Sequence, residues 1–273
     1  MRKVVHISDL HFGAVNEKAE RAIVRDINEI SPDLLVVSGD MTMRAKTKQF
    51  MQAEEFLSKF DSPIVAIPGN HDISLFNIFR RFYKPLKRFR KFITDHKFPA
   101  YEDDEIAAFG INTARSLTIK GGRVSKTQIK EAREKLCSID EGKFKILVIH
   151  HNIIPTPGSP DESFLGRANL LLDEIEDCRL DMMLAGHVHR AYIEYPESAE
   201  PGKKFTILLS AGTAISTRTR NEPNSFNLLE IDGNVLDIKI MSMVEDKFIP
   251  TVNKRFLKEE KDWKFKEETV YKN

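Results

Sequence analysis

Five times in the first 190 residues, a short β-branched apolar run stops abruptly at a cluster of Asp, Asn, His and Gly. The runs are "KVVHISDLH" (3–11), "DLLVVSGD" (33–40), "PIVAIPGNHD" (63–72), "FKILVIHHN" (144–152) and "DMMLAGHVH" (181–189). Continuous apolar runs of this length suit strands buried on both faces. Helical patterns lie between them. "TKQFMQAEEFLSKF" carries Phe50, Ala53, Phe56/Leu57 and Phe60 on one stripe, "SKTQIKEAREKL" opens with a Ser125–Gln128 capping box, and "RANLLLDEIEDC" precedes the fifth run. Strand alternating with helix reads as an α/β fold with parallel strands. From about residue 189 onward only strand-like runs follow: "AYIEY", "KFTILLSAG", "SFNLLEI" and "VLDIKIMSM", with a hairpin signal at Asp232-Gly233. The expectation is one integrated domain over 1–273 with two sheets, a helical insertion at about 74–98 and a tail at about 245–273.

Bulk properties narrow the classes. A chain of 273 residues with 41% hydrophobic content can bury a substantial core. A formal net charge of +1 argues against a globally basic nucleic-acid binder. Cys137 and Cys178 are far apart and form no CxxC, which argues against a disulfide framework and fits a reducing, cytoplasmic setting. The N-terminus "MRKVVHISDLHFG" turns polar after a few residues and reads as a strand rather than a signal peptide. No apolar run approaches the roughly 18–20 residues that span a bilayer.

Each buried strand carries its polar cluster at the C-terminal end, the end at which open α/β sheets bind ligands. Asp9, His11, Asp40, Asn70, His71, Asp72, His150, His151, His187 and His189 collect there. Singly, each has a bland explanation as a cap, a turn residue or a satisfied core histidine. Jointly they do not, because six of the eight histidines fall in these clusters and capping would not select for that. Carboxylate, amide and imidazole ligands without thiolate suit Mn, Fe or Zn better than a structural zinc site. In an extended chain, residues i and i+2 point to the same side, so His187 and His189 would face one pocket. The ligand count exceeds what one ion can use, and a pair of ions about 3.5–4 Å apart is a recurrent hydrolytic device.

The series Asp9-x-His11, Gly39-Asp40, Gly69-Asn70-His71-Asp72, His150 and Gly186-His187-x-His189 resembles the calcineurin-like metallophosphoesterase superfamily, closest in its motifs to the class III phosphodiesterases. The motifs stand in the family's order over residues 9–189. The resemblance implies a four-layer α-β-β-α sandwich of two mixed β-sheets flanked by helices, with two divalent metal ions at one edge. It also implies roles: Asp9, His11 and His189 on one ion, Asn70, His150 and His187 on the other, and Asp40 bridging. His71 would stand beside the substrate phosphate, with Asp72 orienting its imidazole. His150 is preferred over His151 as the ligand, which leaves His151 as a neighbour or substrate contact. One departure is "HHNI", where class III enzymes usually carry "HHPP"; it weakens a cyclic-nucleotide assignment.

Two further stretches bear on substrate. In "LFNIFRRFYKPLKRFRKFITDHKF" (75–98), apolar residues recur at helical spacing with a break at Pro85. Seven basic residues and no acidic one lie between Arg80 and Lys91. This reads either as a helix packed on the core or as a basic amphipathic surface making peripheral membrane contact. The insertion also resembles the lids of the UDP-2,3-diacylglucosamine pyrophosphatases. In "SAGTAISTRTRNEPNS" (210–225), Arg218 and Arg220 could pair with a phosphate. The expected activity is hydrolysis of a small-molecule or lipid-linked phosphodiester or pyrophosphate. The competing readings are a nuclease, which near-zero charge disfavours, and a non-catalytic scaffold, which would be expected to have lost ligands. The aromatic, charged tail would pack on the core or support a homo-oligomer.

Overall fold

The computed structural model describes residues 1–153, 165–195 and 206–271. Residues 204–205 of the expected strand run and 272–273 of the tail lie outside these. The chain begins with β1 (Arg2–Ile7), α1 (Glu17–Ile30), β2 (Leu34–Val37), α2 (Thr47–Leu57) and β3 (Ile64–Ala66). The insertion supplies α3 (Ile78–Tyr83) and α4 (Lys87–Phe92), followed by β4 (Ala100–Glu102), β5 (Ile106–Gly110), α5 (Lys126–Ser138) and β6 (Phe144–Val148). Then come α6 (Ala168–Ile175), β7 (Met182–Ala185), β8 (Tyr192–Glu194), β9 (Ile207–Ser210), β10 (Ser225–Asp232), β11 (Val235–Val244), β12 (Lys247–Glu259) and β13 (Asp262–Val270).

Two mixed sheets result, one ordered β13-β12-β11-β10-β1-β2-β3 and the other β4-β5-β6-β7-β9-β8. Because the pleat alternates, each parallel strand supplies two apolar faces. Val4, Val36 and Val65 of the first sheet meet Ile146, Val148 and Leu184 of the second in an inter-sheet core. Val5, Leu35 and Val37 face α1 and α2, and Leu147 and Met183 face α5 and α6. This is the expected four-layer α-β-β-α sandwich.

Local signals explain most boundaries. The Ser125 hydroxyl accepts from the Gln128 amide at 3.1 Å and Gln128 accepts in return from the Ser125 amide at 2.9 Å, closing the expected capping box on α5. Pro85 separates α3 from α4. Lys145 sits in the middle of a buried strand because its ammonium donates to the carbonyls of Ile139 at 2.8 Å, Cys178 at 3.1 Å and Leu136 at 3.3 Å. The tail builds β12 and β13 on the edge of the first sheet. Phe256 and Trp263 enter the inter-sheet core, and the indole N–H donates to Asp181 at 2.7 Å.

One expectation is corrected. Cys137 and Cys178 form a disulfide that ties α5 to the turn after α6. Their separation of 41 residues concealed this, because α5 and α6 return to pack side by side on the second sheet. The bond removes the argument for a reducing compartment. Among the described residues, no helix is long and apolar enough to cross a membrane.

Candidate metal centre

The five strand ends converge at one edge of the sandwich, and there the chain turns sharply. Asp9, His11, Asp40, His187 and His189 all take left-handed backbone angles, with φ between 50° and 73°. His187 and His189 therefore lie in turns beyond β7 rather than on an extended strand, and their side chains join different groups. Gly39 makes the close approach, with φ of +109°, and a Cβ there would lie 2.5 Å from the His150 ring. A Cβ at Gly69 would fall 2.4 Å from the Asp40 amide.

Two groups of candidate ligand atoms result. The first is Asp9, His11, Asp40 and His189. His189 Nε2 lies 3.1 Å from Asp9 Oδ1 and 3.1 Å from His11 Nε2, and His11 Nε2 lies 3.7 Å from Asp40 Oδ2. The second gathers around the Asn70 side-chain oxygen, which is 3.3 Å from His150 Nε2 and 3.1 Å from His187 Nδ1. Asp40 joins the groups: its Oδ1 lies 3.5 Å from His150 Nε2 while Oδ2 faces His11. Ligands about 2.1 Å from one ion lie about 3.0–3.4 Å from each other, which matches most of these separations.

Backbone carbonyls set the rings. His150 Nδ1 donates to the Ser38 carbonyl at 2.7 Å and His189 Nδ1 to the Arg218 carbonyl at 2.8 Å, which turns each Nε2 toward the centre. Asn70 donates its amide to the Ile119 carbonyl at 3.1 Å and so turns its oxygen inward. The Asp9 Oδ1 atom is buried with no hydrogen-bond donor. Imidazole nitrogens and carboxylate oxygens gathered this closely are a donor set that a divalent cation fits, and a buried acceptor such as Asp9 Oδ1 is costly without a partner.

Electrostatics agree. Burial alone would lower His150, but the facing Asp40 carboxylate raises it to about 9, so a proton supplies the positive charge when no cation does. Burial would raise Asp40 and Asp9, yet His150 and His189 respectively hold them far below the usual carboxylate range. A cation held at His150 Nε2 would have to displace that proton, so affinity is expected to rise with pH. Calorimetric Mn²⁺ titration at pH 7, in two buffers of different ionisation enthalpy, is expected to show net proton release, since Asp40 raises His150 and Asp9 raises His189. Uptake with no proton release would remove His150 from the ligand set.

The structure corrects three further expectations. Asp72 does not orient His71. Its carboxylate accepts from the amides of Met41 at 3.1 Å, Thr42 at 2.9 Å and Gly69 at 3.0 Å, and so welds the loop after β2 to the turn at 69–72. The His71 ring is held instead by the Met43 carbonyl, to which Nδ1 donates at 3.0 Å. His151 lies close enough to His150 and His187 to count among their ligand atoms, but both of its nitrogens are spent. Nε2 donates to the Lys120 carbonyl at 3.0 Å and Nδ1 accepts from the Thr113 hydroxyl at 2.8 Å, so His151 buttresses the 113–122 loop rather than meeting substrate. Arg218 reaches the centre, with Nη1 3.4 Å from His71 Nε2 and 3.5 Å from His11 Nε2. Arg220 is exposed. The carbonyls of Ser38, Met43 and Arg218 carry no side-chain signature, so only the fold reveals them.

Comparison with known proteins places this geometry. The chain is 26% identical over 235 residues to a "probable cyclic nucleotide phosphodiesterase" of Ruthia magnifica, covering 83% of this chain and 93% of the relative. It is 35% identical over 77 residues to a UDP-2,3-diacylglucosamine pyrophosphatase of Chlamydia muridarum, covering 27% of this chain and 23% of that protein. A dimetal phosphatase from Danio rerio shares the fold with a TM-score of 0.63 at 14% identity, over 91% of this chain and 98% of that one. Residues 2–191 match the family model for calcineurin-like phosphoesterases, and with the strand-end ligands gathered at one edge of the sandwich, the chain belongs to that family of metal-dependent phosphoesterases.

Proposed function

We propose that this protein is a dinuclear metal-dependent phosphodiesterase. The observation that carries the reading is the division of the ligands into two groups that share Asp40. Asp9, His11 and His189 would hold one ion, Asn70, His150 and His187 the other, with Asp40 between them. Two divalent ions, Mn, Fe or Zn by ligand chemistry, would polarise the phosphoryl oxygens and activate a water at neutral pH. The chain's own residues do the rest. Arg218 approaches the same space from the 210–225 loop and supplies a guanidinium for a non-bridging phosphate oxygen. His71, its Nδ1 anchored on Met43, presents Nε2 to the reacting phosphate, and a proton held there passes to the leaving oxygen.

A second reading, cleavage of a lipid-linked pyrophosphate, is favoured by the exposed aromatic side chains of α3 beside the centre. A Mn²⁺-supplemented panel of a monoester, a diester, cyclic nucleotides and an acylated sugar nucleotide tests both. The expected result is diester turnover at least about tenfold above monoester turnover, with loss on chelation. Turnover confined to the acylated sugar nucleotide would shift the assignment to the second reading. A metal-loaded protein inert on every phosphoester would leave only a binding scaffold, and cleavage confined to DNA would make it a nuclease.

A further inference from the structure

The apolar side chains that the fold leaves outside are concentrated beside the metal centre. Seven of the thirteen large hydrophobic residues exposed among those described lie in two short segments. Phe76, Ile78, Phe79, Phe82 and Tyr83 come from the insertion, and Leu117 and Ile119 from the loop that follows β5; each is 52–79% exposed. The helical stripe divides between the two helices. Leu86, just before α4, and Phe89 within it are buried against the first core, with Phe89 edge-on to Phe50. In α3 the same periodicity faces outward, and Phe79 stacks on Tyr83 at 4.6 Å in the open.

A buried arginine fastens the two segments together. Arg81 donates from Nε to the Ser116 carbonyl at 2.7 Å, from Nη2 to Thr118 at 2.6 Å and from Nη1 to Ser74 at 3.3 Å. The pair is also tied to the centre on both flanks. Ile119 holds Asn70 through its carbonyl, and Phe76 lies under Arg44, next to the Met43 that anchors His71. Within these two segments the charge has one sign. No acidic residue occurs from 73 to 94 or from 115 to 121, while Arg80, Lys84, Lys87, Arg90, Lys91 and Lys120 are all exposed.

We infer that α3 and the 115–121 loop together form a docking surface for an anionic lipid bilayer, which sets the metal centre at the membrane face. Exposed aromatic and aliphatic side chains ringed by cations are what an interfacial segment needs: the first enter the headgroup–acyl boundary and the second meet anionic headgroups. A second copy of the chain is a poor occupant, because a two-fold contact would set these cations against the same cations. Docking stands on the rim alone; only its consequence, that amphiphilic phosphoesters are the favoured substrates, rests on the phosphodiesterase reading.

Co-sedimentation of the full chain with phosphatidylcholine vesicles, with and without about 30% phosphatidylglycerol, tests the inference. Partitioning is expected to rise at least about tenfold with the anionic lipid and to fall in high salt. Phe79→Ser with Phe82→Ser, Leu117→Ser, and Lys84→Glu with Lys87→Glu should each reduce it, the two double variants about tenfold or more. All three should keep wild-type far-UV circular dichroism and turn over a soluble diester within about twofold of wild type. Equal partitioning onto both vesicle types, or loss with one segment's variants only, would overturn the two-part surface. So would a dimer in light scattering that these variants dissociate. Vesicle binding by a protein inert on all phosphoesters would sink the phosphodiesterase reading alone, and diester turnover without vesicle binding would sink docking alone.

Discussion

Asp40→Ala is expected to yield a folded protein that has lost most of its bound metal, with turnover reduced by more than about 10²-fold. Loss of a hydrogen-bonding partner around a metal ligand costs about 10–100-fold, and Asp40 is proposed as a ligand shared by both groups. The substitution also leaves His150 buried without its counter-charge, so its proton should be shed and its affinity for a cation lowered together. Metal content by plasma mass spectrometry, beside circular dichroism for the fold, checks this. Full metal occupancy in Asp40→Ala would remove the bridging assignment.

His71→Ala should behave in the opposite way on metal and alike on turnover: content near wild type, rate down by about 10²–10⁴-fold. The His71 ring touches neither ligand group through its anchoring nitrogen, which is committed to the Met43 carbonyl. Its burial lowers it below the ordinary histidine value, so the form protonated at Nε2 gives up its proton more readily than an ordinary imidazolium. Two diesters separate proton donation from simple charge stabilisation. With an alkyl leaving group the full loss is expected; with p-nitrophenolate, which leaves without a proton, the loss should be at least tenfold smaller. Equal losses on both would make His71 an electrostatic group, and loss of both ions would overturn its separation from the ligands.

The strand ends were legible because burial on both faces forces an apolar run to be continuous, so the ligand types stand out where it stops. The capping box at Ser125 and the break at Pro85 were legible for similar local reasons. What the pattern could not show were events of the turn and of tertiary return. The left-handed angles at His187 and His189 reverse a simple period-two argument, although the two side chains still go to different groups. Asp72 and His151 look like chemistry from their neighbours, yet their atoms are spent on backbone and on Thr113. The Cys137–Cys178 bond and the Arg81 clamp each join residues more than thirty positions apart, which no local period encodes.

The turns at the strand ends also bear on how this chain could change over time. Five proposed ligand positions hold side-chain-bearing residues at angles that glycine adopts freely, each costing the fold on the order of 1–3 kcal/mol. Glycine or asparagine there would relax the backbone and remove or weaken the donor in a single step. Selection for folding alone would therefore erode this edge of the sandwich first, while the buried strands behind it remained nearly untouched. Under the proposed ligand assignment, the strain at these five positions is the stability cost of the site.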